Sequence, residues 1–147
     1  MNISEKGLNI IKKFEGLVLK PYLCPAGVPT IGYGSTVYPN GRAVTLKDKP
    51  ISENEAHQIL LATVKKYEDA VNRYVSVPLT QNQFDALVDF AYNVGIGNLQ
   101  KSTLLKRVNA SDFVGAKREF GKWIYGAGKP LKGLINRRAA EADLFAA

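Results

Sequence analysis

The chain has 147 residues, 46% of them hydrophobic, and contains one cysteine. This length suits one domain with an ordinary core, and a lone cysteine excludes an internal disulfide. The net charge of +7 favours anionic partners, but the basic residues are dispersed, so charge alone does not distinguish nucleic acid from anionic lipid or an acidic wall polymer.

The beginning of the chain, MNISEKGL, shows no signal peptide, and no apolar run reaches the roughly 18 residues that cross a bilayer. We therefore expect a protein made in the cytoplasm. The single histidine, His57, lies in a helical pattern, and no cysteine and histidine cluster has metal-ligand spacing. We expect neither a metal nor another cofactor.

The first predicted helix begins at Ser4, which can cap it, and ends at Gly16. Glu15 therefore falls in the last turn. Alternating residues then predict strands around Leu19 and Tyr22 and again over residues 30–33, with an interruption over residues 25–29. Asn40-Gly41 predicts a hairpin turn between short strands at residues 36–38 and 43–45.

The remainder of the chain is predicted to be helical. Capping boxes at Ser52 with Glu55 and at Thr80 with Gln83 each begin a helix. The first of these runs to Tyr74 and the second passes Tyr92 to end at Gly95 and Gly97, and shorter helices are expected over 103–108, 112–125 and 134–145.

These elements predict one α+β domain over residues 1–147. A small antiparallel β-lobe at about 17–50 is expected to be joined by a long helix to a helical lobe at about 52–147, which also includes the N-terminal helix. A groove between two such lobes is a usual place for a ligand.

Glu15, Cys24 and Thr30 could together hydrolyse a glycosidic bond. A helix C-terminus and apolar neighbours both favour the protonated form of Glu15, which a general acid needs. Cys24 could act as a base or a polar stabiliser, and Thr30 could hold a water. Each residue also has an ordinary alternative. Glu15 could be an exposed acid at a helix end, Cys24 a small buried apolar side chain, and Thr30 a residue that only favours a strand.

The spacing of these three residues resembles phage-type lysozymes (endolysins), the family of T4 lysozyme. That family has Glu, eight residues, Asp or Cys, five residues and Thr. Nearly the whole chain is similar to the family, including the segments FEG, LKPY, PTIGYG, LTQNQFDALVDFAYNVG and LKGLINRRAAEADLF. The resemblance implies a lysozyme-like fold and hydrolysis of the β-1,4 bond between N-acetylmuramic acid and N-acetylglucosamine in peptidoglycan.

The resemblance also implies roles for single residues. Glu15 would be the general acid, Thr30 would place the water, and Cys24 takes the Asp or Cys position. Arg137, which by spacing alone could be a solvated side chain, matches the arginine that pairs with the catalytic Glu. Phe90 and Tyr33 would bind substrate or support the site.

Ser35 stands where many family members have His, which removes one side of an ion pair in the β-lobe. The expected partner is bacterial peptidoglycan, with an anionic envelope surface as a further contact. We expect a monomer that binds no nucleic acid and reaches the wall through a membrane lesion such as a holin. Rival functions are a lytic transglycosylase, a non-catalytic wall-binding protein and a basic nucleic-acid-binding protein.

Overall fold

The computed structural model describes residues 1–147, with seven helices and four short strands. The helices are α1 (Glu5–Glu15), α2 (Glu53–Tyr74), α3 (Gln81–Val94), α4 (Ile96–Lys101), α5 (Thr103–Asn109), α6 (Phe113–Phe120) and α7 (Lys132–Ala146). The strands are β1 (Val18–Leu23), β2 (Pro29–Gly32), β3 (Tyr125–Gly126) and β4 (Lys129–Pro130). Strand β1 pairs with β2, and β3 pairs with β4, in two separate two-stranded antiparallel sheets. None of the helices is both long and apolar enough to span a bilayer.

The chain divides into two compact units, and both α1 and α2 contribute to each of them. The first unit, residues 1–10 and 67–147, is helical and also carries the β3–β4 hairpin. In it α3 packs against α7, and α5 packs against α6, which contacts α7 in turn. Its core side chains are fully buried, namely Phe84, Leu87, Phe90, Leu99, Leu104 and Phe120.

The second unit, residues 11–66, contains the end of α1, the β1–β2 hairpin and most of α2. Ile31 on β2 and Leu60 on α2 are fully buried. The backbone N–H of Ile51 donates to the carbonyl of Leu19 over 2.9 Å, which ties the segment before α2 to β1. Little apolar mass lies in the sheet itself, so this unit depends on the helical segments for its core.

Local capping confirms the predicted helix starts. Ser52 and Glu55 exchange hydrogen bonds of 3.0 and 3.2 Å, and Thr80 and Gln83 form the second capping box. The start of α1 also has a long-range tie, because Asp85 on α3 accepts hydrogen bonds from the backbone N–H and the hydroxyl of Ser4. Gly16, at a φ of 73°, ends α1 directly after Glu15.

Three predictions were wrong in detail. The strands expected beside Asn40-Gly41 are reduced to one bridge between Val37 and Ala43. Gly97 lies inside α4 rather than at the end of α3, because Gly95 at a φ of 99° already breaks the helix and its carbonyl begins the next one.

The helix predicted over residues 112–125 ends at Phe120. Turns close at Lys122 and Trp123, and the Trp123 ring packs edge-on against Phe90 with centroids 5.5 Å apart. The chain then forms the β3–β4 hairpin, where a Cβ on Gly126 would clash with the side chain of Leu131 directly after β4. Packing of the indole ring therefore overrides the local helical pattern.

Candidate active site

The β1–β2 hairpin turns through the three-residue loop Pro25-Ala26-Gly27. The N–H of Cys24 donates to the carbonyl of Val28 over 3.1 Å, and the N–H of Gly27 donates to the carbonyl of Cys24 over 2.8 Å. Proline fixes φ near the value that the first loop position needs, and Gly27 takes the left-handed conformation at a φ of 78°. The sequence Pro-x-Gly thus holds Cys24 at the end of the strand ladder.

Strand register brings Tyr22, Cys24 and Thr30 to one face of this hairpin. Tyr22 pairs directly with Thr30 across the two strands. Cys24 follows Tyr22 by two residues and continues the ladder through its bond to Val28, so its side chain shares the face of Tyr22. The predicted proximity of Cys24 and Thr30 therefore follows from the pairing of the strands.

The Cys24 thiol lies among hydrogen-bond donors. Hydrogen bonding by the backbone of Val28 is the main cause that lowers the pKa of Cys24, with further contributions from the backbone of Ala26 and the hydroxyl of Thr30. Partial desolvation opposes them but does not cancel their effect. The loop thus favours the thiolate, which is the form of cysteine that can accept a proton.

Thr30 is buried, with 2% of its surface exposed, and its hydroxyl donates to the carbonyl of Val28 over 2.8 Å. A hydroxyl has one proton and two lone pairs. With this proton donated to the carbonyl of Val28, the Thr30 oxygen can accept a hydrogen bond from a water beside the sulfur. When the thiol ionises, the same proton can turn to the sulfur, which explains the contribution of Thr30 to the lowered pKa of Cys24.

The charges of Glu15 and Cys24 both act on the phenol of Tyr22. Burial is the first cause that raises the pKa of Tyr22, followed by the negative charges of Glu15 and then Cys24. One phenol therefore lies within electrostatic range of both groups. Glu15 itself is half-buried at the end of α1. The end of α1 and one face of the hairpin thus place all three predicted catalytic residues in a single neighbourhood of the second unit.

Arg137 belongs to a buried ionic cluster of the first unit. Its guanidinium donates two hydrogen bonds to Asp89, of 3.1 and 2.8 Å, and its Nε lies 3.9 Å from Glu141. Arg138 donates to Glu141 and to Asn93, and its Nε lies 2.7 Å from Glu141 Oε1 without the alignment of a hydrogen bond. Arg137 is 4% exposed, so it is held in place rather than solvated.

The carboxyl of Glu141 is buried beside the carboxyl of Asp89. Burial and then the hydrogen bond with Asp89 raise the pKa of Glu141 well above its ordinary value. Both arginines oppose this rise but do not overcome it. The two carboxyls therefore form a fixed frame for the Arg137 guanidinium.

Phe90 and Tyr33, expected at or behind the substrate, are both buried. The Phe90 ring contacts Phe120 and Trp123 edge-on, and the Arg138 guanidinium lies 5.2 Å from its centroid. Tyr33 is 5% exposed, with the Lys12 ammonium 5.5 Å from its ring. All of these contacts are with other side chains of the protein. Direct contact of either ring with substrate stays a prediction.

Ser35 takes part in a neutral hydrogen bond. Its hydroxyl lies 2.8 Å from that of Thr63 on α2, which also donates to the carbonyl of Ile59. Ser35 is buried and forms a backbone bridge with Ile31. The two hydroxyls therefore connect the segment after β2 to α2. They do so at the position where many family members have the His of an ion pair.

Comparison with known proteins shows the family of this chain. Residues 12–141 match the family model described as phage lysozyme. The chain belongs to the phage lysozyme family. The endolysin of Acyrthosiphon pisum secondary endosymbiont phage 1 is 44% identical over 99% of this chain and 98% of its own length. The endolysin of Bacillus phage B103 is 45% identical over 99% of this chain. This chain spans only 54% of that phage lysozyme relative.

A solved structure confirms the lysozyme-like α+β fold expected from the sequence. The endolysin from Escherichia coli O157:H7 phage FAHEc1 superimposes with a TM-score of 0.89 at 46% identity, covering 99% of this chain and 93% of that one. Sequence reasoning nevertheless missed two features of the site, Tyr22 and the Asp89–Glu141 frame. The two-residue spacing of Tyr22 and Cys24 on a strand could have indicated the first, whereas the second joins helices far apart in the chain.

Proposed function

We propose that this protein is a peptidoglycan-degrading endolysin, a lysozyme that hydrolyses the β-1,4 bond between N-acetylmuramic acid and N-acetylglucosamine. The observation that supports this most is the position of Tyr22, which pairs with Thr30 across the hairpin and lies within electrostatic range of both Glu15 and Cys24. In a chain of the phage lysozyme family, this arrangement supplies a proton donor and a water site, the two parts that glycoside hydrolysis needs.

Glu15 is the proposed general acid. It gives its proton to the glycosidic oxygen as the bond to the anomeric carbon breaks. It is the last residue of α1 and lies half-buried beside the hairpin. The leaving sugar departs as a neutral alcohol, and Glu15 is left as a carboxylate.

Cys24 and Thr30 hold the attacking water. The water donates one hydrogen to the Cys24 thiolate and the other to a lone pair of the Thr30 oxygen. A lone pair of the water oxygen then attacks the anomeric carbon from the face opposite Glu15, with inversion. The proton that the water loses passes to the sulfur, so charge is balanced over the step.

Arg137 is proposed to have the supporting role that its family position implies. A guanidinium fixed by Asp89 and Glu141 keeps its charge and orientation without rearrangement during the reaction. Phe90 stabilises this frame because its ring packs against the guanidinium of the neighbouring Arg138. Tyr33 supports the hairpin end through its burial beside Lys12.

The excess of positive charge, +7 at neutral pH, is proposed to speed the encounter with an anionic cell envelope, an effect that salt should weaken. We also propose that the protein acts as a monomer on periplasmic peptidoglycan. Access would follow a membrane lesion such as a holin provides, and the biological outcome would be host lysis and phage release.

Replacement of the acid tests the function most directly. Glu15→Gln keeps the shape of the side chain but removes the transferable proton, so clearing of permeabilised Gram-negative cells should fall by at least a hundredfold. Glu5→Gln, at the exposed start of the same helix, is the matched control and should clear cells as the parent does. Full lysis by Glu15→Gln would exclude the acid role.

Analysis of the products separates the rivals. Hydrolysis leaves reducing ends, whereas a lytic transglycosylase leaves 1,6-anhydro ends because no water attacks. A wall-binding protein would pellet with peptidoglycan and release no fragments. A nucleic-acid-binding protein would be retained on DNA in a salt-sensitive way without releasing fragments. Reducing ends from the parent protein, and none from Glu15→Gln, support the lysozyme.

A further inference from the structure

Tyr22 is a site residue without a role in the mechanism above. It lies on β1 directly opposite Thr30 and two residues before Cys24, so its side chain occupies the same hairpin face as both. It is half-buried, neither locked in the core nor free in solvent. Its place is therefore determined by strand register, independently of any titration.

The charges of Glu15 and Cys24 both act on the Tyr22 phenol. In an inverting hydrolysis the sugar ring lies between the proton donor and the attacking water, which here belong to Glu15 and Cys24. A residue on the hairpin face of Cys24 and Thr30 that also lies within electrostatic range of Glu15 is positioned to reach a sugar held between them. Sugars present hydroxyl and acetamido oxygens, which accept hydrogen bonds from a phenol.

We propose that Tyr22 is a further substrate-binding residue, whose phenol O–H donates a hydrogen bond to the sugar that lies between Glu15 and Cys24. This inference rests on the proposed function. Because burial and the two neighbouring acids raise the pKa of Tyr22, the phenol stays protonated even when Cys24 is a thiolate and Glu15 a carboxylate. A neutral donor can thus serve the sugar before and after proton transfer without adding a third negative charge.

Tyr22→Phe tests this proposal because it removes the hydroxyl and keeps the ring. One neutral hydrogen bond to substrate corresponds to a fall of about three- to tenfold in kcat/KM on purified peptidoglycan. The thermal midpoint and the rate of Cys24 alkylation should match those of the parent, since the ring still packs on the hairpin. The matched control is Tyr38→Phe, which removes a hydroxyl beside another turn and should leave kcat/KM unchanged.

Each outcome decides the question. A Tyr22→Phe protein with the full kcat/KM of the parent overturns the proposal and leaves Tyr22 a packing residue. A loss accompanied by a changed alkylation rate also overturns it, because Tyr22 would then act through Cys24 and not on the sugar. An active Glu15→Gln protein would overturn the proposed function instead, so the two failures are distinguishable.

Discussion

Two loops of the second unit have the same backbone but different chemistry. Cys24–Val28 reads CPAGV and Tyr38–Arg42 reads YPNGR. In each, the first residue donates its N–H to the carbonyl of the fifth and accepts from the N–H of the glycine, over 3.1 and 2.8 Å in one loop and 2.9 and 2.9 Å in the other. The two glycines have φ values of 78° and 88°. Pro-x-Gly therefore determines the turn in both places.

The polar groups around the second loop are satisfied within the protein. Asp48 accepts hydrogen bonds from the Tyr38 hydroxyl, from the backbone and hydroxyl of Thr45, and from Arg42, over 2.7 to 3.2 Å. At the first loop, backbone donors and a hydroxyl surround a part-exposed thiol and lower its pKa. The second loop is thus stabilised by hydrogen bonds to Asp48, whereas the first loop carries a thiol, Cys24, that remains accessible to a water.

Substitution of the two loop glycines should separate structure from function. Gly27→Ala and Gly41→Ala both force alanine into the left-handed region, with open space around the new Cβ, so each should cost about 1–2 kcal/mol in urea unfolding. Only Gly27→Ala should also lower peptidoglycan hydrolysis, by about tenfold or more, because it moves the donors that hold Cys24. Equal activity in the two variants would mean that the loop does not position the thiol.

Asp48→Asn should weaken the second loop without touching the site. Hydrogen bonds from Thr45, Tyr38 and Arg42 hold the pKa of Asp48 well below its ordinary value. A depressed pKa in the folded state gives stability that is present above the unfolded-state pKa of about 3.9 and lost as the pH falls. The thermal midpoint of Asp48→Asn should therefore lie a few degrees below the parent at pH 7, with the gap closing below about pH 4.

A gap that persists unchanged to low pH would show that Asp48 stabilises the loop by shape rather than by charge. The hydrolysis rate serves as the internal control for this variant. It should equal that of the parent at neutral pH, since Asp48 contacts only the second loop and its neighbours.

When the reactivity of Cys24 is the only readout, Thr30→Val should produce the smallest of these effects. The Thr30 hydroxyl contributes to the lowered pKa of the thiol, after the backbone of Val28 and Ala26. Its removal should move the midpoint of the pH–rate profile for alkylation part of the way back towards the ordinary thiol value. Urea-unfolded protein gives that ordinary value as a reference, and an unchanged midpoint in Thr30→Val would place the hydroxyl outside hydrogen-bond reach of the sulfur.

Much of the fold could be predicted because its signals are local. The capping boxes at Ser52 and Thr80 and the stop at Gly16 depend on groups within a few residues of one another, so their outcome barely depends on the rest of the chain. The same holds for Glu15 at the helix end. Pro-x-Gly at residues 25–27 is an equally local signal, although we predicted only an interruption there.

The sequence by itself determined the helix ends, the turns and the spacing of Glu15, Cys24 and Thr30. Tertiary structure alone decided that Tyr22 lies within electrostatic range of both Glu15 and Cys24. It also decided that Arg137 is held by Asp89, which is 48 residues away. It also ended α6 early, through the packing of Trp123 on Phe90. The physical reason is that a turn or cap is stabilised by its own neighbours, whereas a buried charge pair or ring contact exists only once distant segments have excluded water together.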